Sequence, residues 1–74
     1  MSKLPRCSGK EMLALLIRYG FSVVRVRGSH HVLQNGALRT VVPVHGNEVL
    51  KLGTLRGIMR DTEISPDELR KRLK

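Results

Sequence analysis

The chain has 74 residues, with 14 Lys and Arg against 6 Asp and Glu and a formal net charge of +8. A chain of this length predicts one domain, 1–74, whose modest core leaves no deep cavity for a large organic cofactor. So basic a surface favours a polyanionic partner, with nucleic acid ahead of an anionic membrane or an acidic protein.

The first segment, "MSKLPRCSGKE", lacks the apolar stretch of a signal peptide. No apolar run approaches the ~20 residues of a membrane-spanning helix. Cys7 is the single cysteine, so no internal disulfide is possible, and a cytoplasmic location is expected. No histidine stands near Cys7 in sequence, which reads it as a small buried hydrophobe rather than a nucleophile.

"CSGKEMLALLIRYG" predicts a helix. Ser8 and Glu11 have capping-box spacing, Cys7 is placed to staple onto Met12, and Gly20 is a natural stop. Leu13, Leu16 and Ile17 form the expected core stripe. "FSVVRVR" is β-branched and predicts a strand, with Val24 and Val26 on one face and Arg25 and Arg27 on the other. Gly28-Ser29 predicts a turn and "HHVLQ" a second strand. Asn35-Gly36 is a two-residue hairpin signal, and "ALRTVVPV" a third strand ending near Pro43. A helix from about Lys51 to Asp61 is expected to bury Leu52, Leu55, Ile58 and Met59, with Gly53 and Gly57 allowing close approach to the sheet. "ISPDELRKRLK" predicts a last short helix. Ser65 is its N-cap, Pro66 its first residue, Glu68 its capping-box partner, and Ile64 a staple onto Leu69. The fold class is α+β: an α-β-β-β-α order plus a C-terminal helix, with a three-stranded antiparallel sheet packed on helices and its other face open.

Side chains alternate along a strand, so adjacent His30 and His31 point to opposite faces. A hairpin closed by Asn35-Gly36 sets Leu33 against Leu38, His31 against Thr40 and His30 against Val41. The face holding His31, Leu33, Leu38, Thr40, Val42 and Val44 is bulkier and uncharged, so it is expected to meet the core. His30 then projects outward beside Arg39, with Arg25 and Arg27 nearby.

Metal ligation is not expected. Two of the six acids are cap residues, no pair falls near the histidines, and His30 and His31 point apart. No cofactor is expected. RNA cleavage without metal needs less, because the substrate's 2′-OH is the nucleophile. One exposed histidine serves as general base, and arginines neutralise the phosphate. By spacing alone, a non-catalytic RNA-binding module reads equally well.

Four stretches then act together: Gly20-Phe21, "VRVRGSHHVL", "VVPVHG" at Val41–Gly46 and "KLGTLRGIMRD" at Lys51–Asp61. Their order and distances resemble the HicA family of toxins, small mRNA interferases of type II toxin–antitoxin systems, from about Ser8 to Leu69. The resemblance implies a fold like a double-stranded-RNA-binding domain and ribosome-independent endoribonuclease cleavage of mRNA. It also implies a HicB-type antitoxin that binds the toxin and blocks its site. The family's catalytic histidine directly follows Gly-Ser, which is His30 here. Gly28 and Ser29 would fix its approach to the phosphate, and Arg25, Arg27, Arg39, Lys51 and Arg56 are candidate substrate contacts by charge. His45 matches the histidine of the family's P-x-H-G stretch, either as a structural residue or as a second acid–base group. The tight Asn35-Gly36 turn departs from the longer loop of many relatives.

Overall fold

Ser8 starts the first helix in the way its side chain favours. In the computed structural model, which describes residues 4–73, α1 spans Gly9–Arg18. The Glu11 amide donates to Ser8 Oγ (3.1 Å) and the Ser8 amide donates to Glu11 Oε1 (2.9 Å), closing the capping box. The helix stops at Gly20, whose φ of 96° lets its amide reach the Ile17 carbonyl while the Phe21 amide reaches Leu16. Met12, Leu15 and Leu16 form the buried stripe, and Leu13 is half-buried. Ile17, expected in that stripe, is 54% exposed. It lies five residues from Met12, about 140° around the helix, and so clears the core.

Strands β1 (Ser22–Arg27), β2 (His30–Asn35) and β3 (Leu38–Pro43) form an antiparallel sheet in the order β1-β2-β3. The β2–β3 register differs from the expected one. Asn35 pairs with Leu38, Leu33 with Thr40, His31 with Val42 and His30 with Pro43. The loop residues are therefore Gly36-Ala37 rather than Asn35-Gly36. Of the two, only Gly36 has positive φ (59°), the glycine-first pattern of a type II′ turn. Asn35 stays in the strand, and its Nδ2 donates to the Tyr19 carbonyl at 3.2 Å, tying the hairpin to the end of α1.

The change moves β3 by two residues. Because the pleat repeats every two, no side chain changes face. Leu33, Thr40 and Val42 are buried on the inner face as expected. A bulge between Val23 and Arg25 interrupts the alternation expected for β1, leaving Val24 without a partner in the register. It is Val23 and Val26 that pair with the inner-face residues Leu33 and His31.

Helix α2 (Leu52–Thr62) buries Leu55, Ile58, Met59 and Thr62 and packs over β3. Thr40 Oγ1 donates to Asp61 Oδ2 at 3.1 Å across that contact. Leu52, expected inside, is 52% exposed in the opening turn. Neither α2 glycine serves close packing: a Cβ on Gly53 meets nothing within 4 Å, and one on Gly57 meets only Arg60 Nη2 at 4.0 Å. The close approach is at Gly9 instead. A Cβ there would lie 2.2 Å from the Pro43 carbonyl oxygen and 3.0 Å from Val44 Cα. The start of α1 therefore rests directly on the backbone at the end of β3.

Helix α3 (Pro66–Arg72) is capped by Ser65, whose Oγ accepts from the Glu68 amide at 3.2 Å. The Glu68 carboxylate does not complete the expected box, because Tyr19 donates its hydroxyl to it at 2.6 Å. The Arg72 guanidinium stands 5.6 Å from the Tyr19 ring centre, so α3 is also pinned to the end of α1. Ile64 and Leu69 are buried. Helices α1 and α2 pack against β3, and Ile64 and Leu69 join the same core. No helix of the described residues is long and apolar enough to cross a membrane.

Candidate active site

The uncovered face of the sheet carries the candidate site. Gly28 takes a φ of 58°, which turns the chain tightly enough for Arg27 and His30 to stand directly opposite each other. Opposed Cβ atoms in such a pair are about 5 Å apart. Arg25 pairs with Val32 on the same outer face, one pleat further along. His30 is exposed, with Arg27 on one side and Pro43 on the other. Ser29 is half-buried. Its carbonyl accepts the Val44 amide at 2.8 Å, which extends the β2–β3 ladder past Pro43 and fixes the turn that presents His30.

The histidine pair divides as strand alternation requires. His31 shares the inner face with Val26 and Val42 and is half-buried. Its Nδ1 lies 3.3 Å from the Ser29 carbonyl, so the ring braces the turn from behind. It is a packing residue at the rim of the core rather than within it.

The structure separates the basic candidates. Arg25 and Arg27 come together with His30. Arg39 does not, because it pairs with Gln34, four residues along β3 from the Pro43 partner of His30. That is about 13 Å at 3.3 Å per residue. The two-residue change in register keeps Arg39 on the expected face and moves it to the far end. Lys51 is the N-cap residue of α2 and lines an open cavity of about 240 Å³ beside Pro43. Arg56, five residues on, faces another side of the helix, in a depression with Leu4, Met59 and Pro66. It does not join the site. Arg25, Arg27 and Arg39 form no ion pair with any described residue, so the outer face presents its positive charge unneutralised.

His45 is exposed and lines the same cavity as Lys51. Its carbonyl accepts the Glu48 amide at 2.9 Å in a turn that Gly46 permits with a φ of 56°. Glu48 and Thr54 also line this cavity, and neither was singled out from the sequence. The three-residue spacing of Lys51 and Thr54, one face of a helix start, is the pattern that would have found Thr54. Among the described residues, no three of His, Cys, Asp and Glu come together as metal ligands. Cys7 is buried, and burial together with the Glu11 carboxylate pushes its thiol up to about 11, which suits a core residue.

No curated protein and no solved structure matches the chain. A family model does: the one described as "HicA toxin of bacterial toxin-antitoxin" matches residues 9–64. That match starts on the glycine that seats α1 against β3. It takes in the Gly28-Ser29 turn, all three histidines and all of α2, and on that extent the chain belongs to the HicA family of toxins from bacterial toxin–antitoxin systems.

Proposed function

We propose that the protein is an endoribonuclease that cleaves mRNA without a metal ion and is held inactive by a HicB-type antitoxin. The observation that carries this reading is the exposed His30 on the open sheet face, directly opposite Arg27 and one pleat from Arg25. His30 acts as general base on the 2′-OH of the substrate. The 2′ oxygen attacks the adjacent phosphorus, the bond from phosphorus to the 5′ oxygen breaks, and the departing oxygen takes a proton from solvent. The products end in a 2′,3′-cyclic phosphate and a 5′-hydroxyl. Arg27 and Arg25 stabilise the charge that develops on the phosphate. The Gly28-Ser29 turn, held by Val44 and braced by His31, keeps the imidazole in place. DNA lacks the nucleophile and is not cut.

A protein partner that neutralises this face removes substrate access and charge together, which is how an antitoxin with an acidic surface would silence the enzyme. The test is induced expression of wild type and His30→Ala, with growth and cellular mRNA followed together. Wild type should arrest growth and cut mRNA, the variant should do neither, and co-expressed antitoxin should restore growth. Salt-sensitive RNA binding with no cleavage and no arrest by wild type would instead make the protein a binding module.

A further inference from the structure

The cavity beside Pro43 lies next to His30 and has a chemistry of its own. Pro43 forms one wall and is the cross-strand partner of His30, so the cavity opens at the same end of the sheet. At about 240 Å³ it is smaller than the pockets that take drug-sized ligands, and it suits a single nucleotide unit. Pro43, Val49 and the half-buried Leu50 supply an apolar wall for the face of a base. His45, Lys51 and Thr54 supply hydrogen-bond donors, two of them on nitrogen. Glu48 is the single carboxylate of the lining.

The mouth of the cavity is also where α2 begins. Lys51 makes no side-chain cap, and the first turn of α2 holds no acidic residue. Its opening amides are therefore not taken by a cap side chain, and they add to Lys51 and Thr54 in favouring an anion.

We propose that this cavity is a nucleotide subsite holding the RNA residue next to the scissile phosphate. Lys51, Thr54 and His45 take a phosphate group of that residue, and its base lies against Pro43, Val49 and Leu50. Glu48 accepts a hydrogen bond from the base edge, so bases with an exocyclic amine are preferred over uracil, which has none. The subsite sets which sequences are cut, while His30 does the cutting. Naming RNA as the source rests on the endoribonuclease reading. The cavity's preference for a nucleotide over bare phosphate does not.

The experiment titrates isotopically labelled full-length His30→Ala protein with GMP, CMP, UMP and inorganic phosphate, read by NMR. GMP and CMP should shift the amides of Val44 to Thr54 and the His45 ring signals, at least several-fold more tightly than UMP or phosphate. Val49→Trp, which fills the cavity from an exposed position, should lower that affinity about tenfold with the amide spectrum of the sheet unchanged. Glu48→Gln should level the preference between GMP and UMP. Equal binding of phosphate and nucleotides, or shifts confined to other parts of the molecule, would overturn the subsite. Selective nucleotide binding here with no RNA cleavage by wild type would support the subsite and overturn the endoribonuclease reading. Cleavage by wild type without any response of this cavity would do the reverse.

Discussion

Replacing Gly9 by alanine tests how α1 is seated on the sheet. The added Cβ would stand 2.2 Å from the Pro43 carbonyl oxygen, 3.0 Å from Val44 Cα and 3.1 Å from Val44 Cγ2. Non-bonded carbon contacts are comfortable near 3.5 Å, so α1 must retreat by about 1 Å. Two of the three atoms in the way are backbone, so no rotamer change relieves the clash. A retreat also strains the Leu50 amide to Cys7 carbonyl bond (2.8 Å) and opens the core under Met12 and Leu16. Overpacking of this kind costs about 1–3 kcal/mol, and the rigid obstacle places Gly9→Ala at the upper end. A domain of this size has roughly 4–11 kcal/mol in all. Gly53→Ala is the control. Its Cβ meets nothing within 4 Å, and alanine is the better helix former by about 0.5–1 kcal/mol. The same chemical change should thus lower stability at one site and raise it at the other. Urea unfolding at constant m-value measures both. In thermal melts, Gly9→Ala should lose about 8–16 °C for each 2 kcal/mol. Gly9→Ala as stable as wild type would refute the seating of α1 described above.

Three further outcomes follow from particular contacts. Thr40→Val removes the 3.1 Å bond to Asp61 from a buried position and should cost about 1 kcal/mol by urea unfolding. Cys7 should resist iodoacetamide at pH 8 until the protein is unfolded. Its thiol pKa is raised from 9.0 to about 11 on folding, so the stability tied to it is complete below pH 9 and lost as pH rises through 11. A stability that stays flat from pH 9 to 11, or that falls equally in Cys7→Ala, would count against the raised thiol. Arg27→Ala should slow RNA cleavage and flatten its salt dependence by about one phosphate contact, whereas Arg39→Ala should do much less. Equal effects of the two would contradict the register that separates them.

The elements were legible because their signals are local. The Ser8–Glu11 box, the Gly20 stop and the β-branched run before Gly28 each specify a boundary through nearby backbone bonds. The split between His30 and His31 was legible for a stronger reason: it depends only on pleat parity, which a two-residue change in register preserves. What parity does not encode is position along the strand, so Arg39 kept its expected face and moved away from His30. That placement depends on whether Gly36 takes the first or the second place in the turn and on Asn35 reaching Tyr19, a contact 16 residues distant in sequence. The bulge at Val24 is similarly silent in a run of valines. Gly9 was missed because its role is defined by distant segments meeting, α1 with the end of β3. The cavity is local in sequence, from Pro43 to Thr54, but it depends on how the irregular loop between β3 and α2 folds, which brings Glu48 and Thr54 beside the named His45 and Lys51. Charge alone could not sort Lys51 from Arg56, since the helical angle between them decides which one faces the site.

The central claim is that His30 activates a 2′-OH, and a substrate with one atom removed tests it most directly. Two synthetic RNAs carry the same mapped cleavage site, the second with a 2′-deoxy sugar only at the nucleotide 5′ of the cut. In EDTA, wild type should cut the first to a 2′,3′-cyclic phosphate and leave the second whole. His30→Ala should lower the rate by about 10²–10⁴-fold, while His31→Ala retains most of it. Cutting of the deoxy substrate at the wild-type rate, or undiminished cutting by His30→Ala, would contradict the assignment.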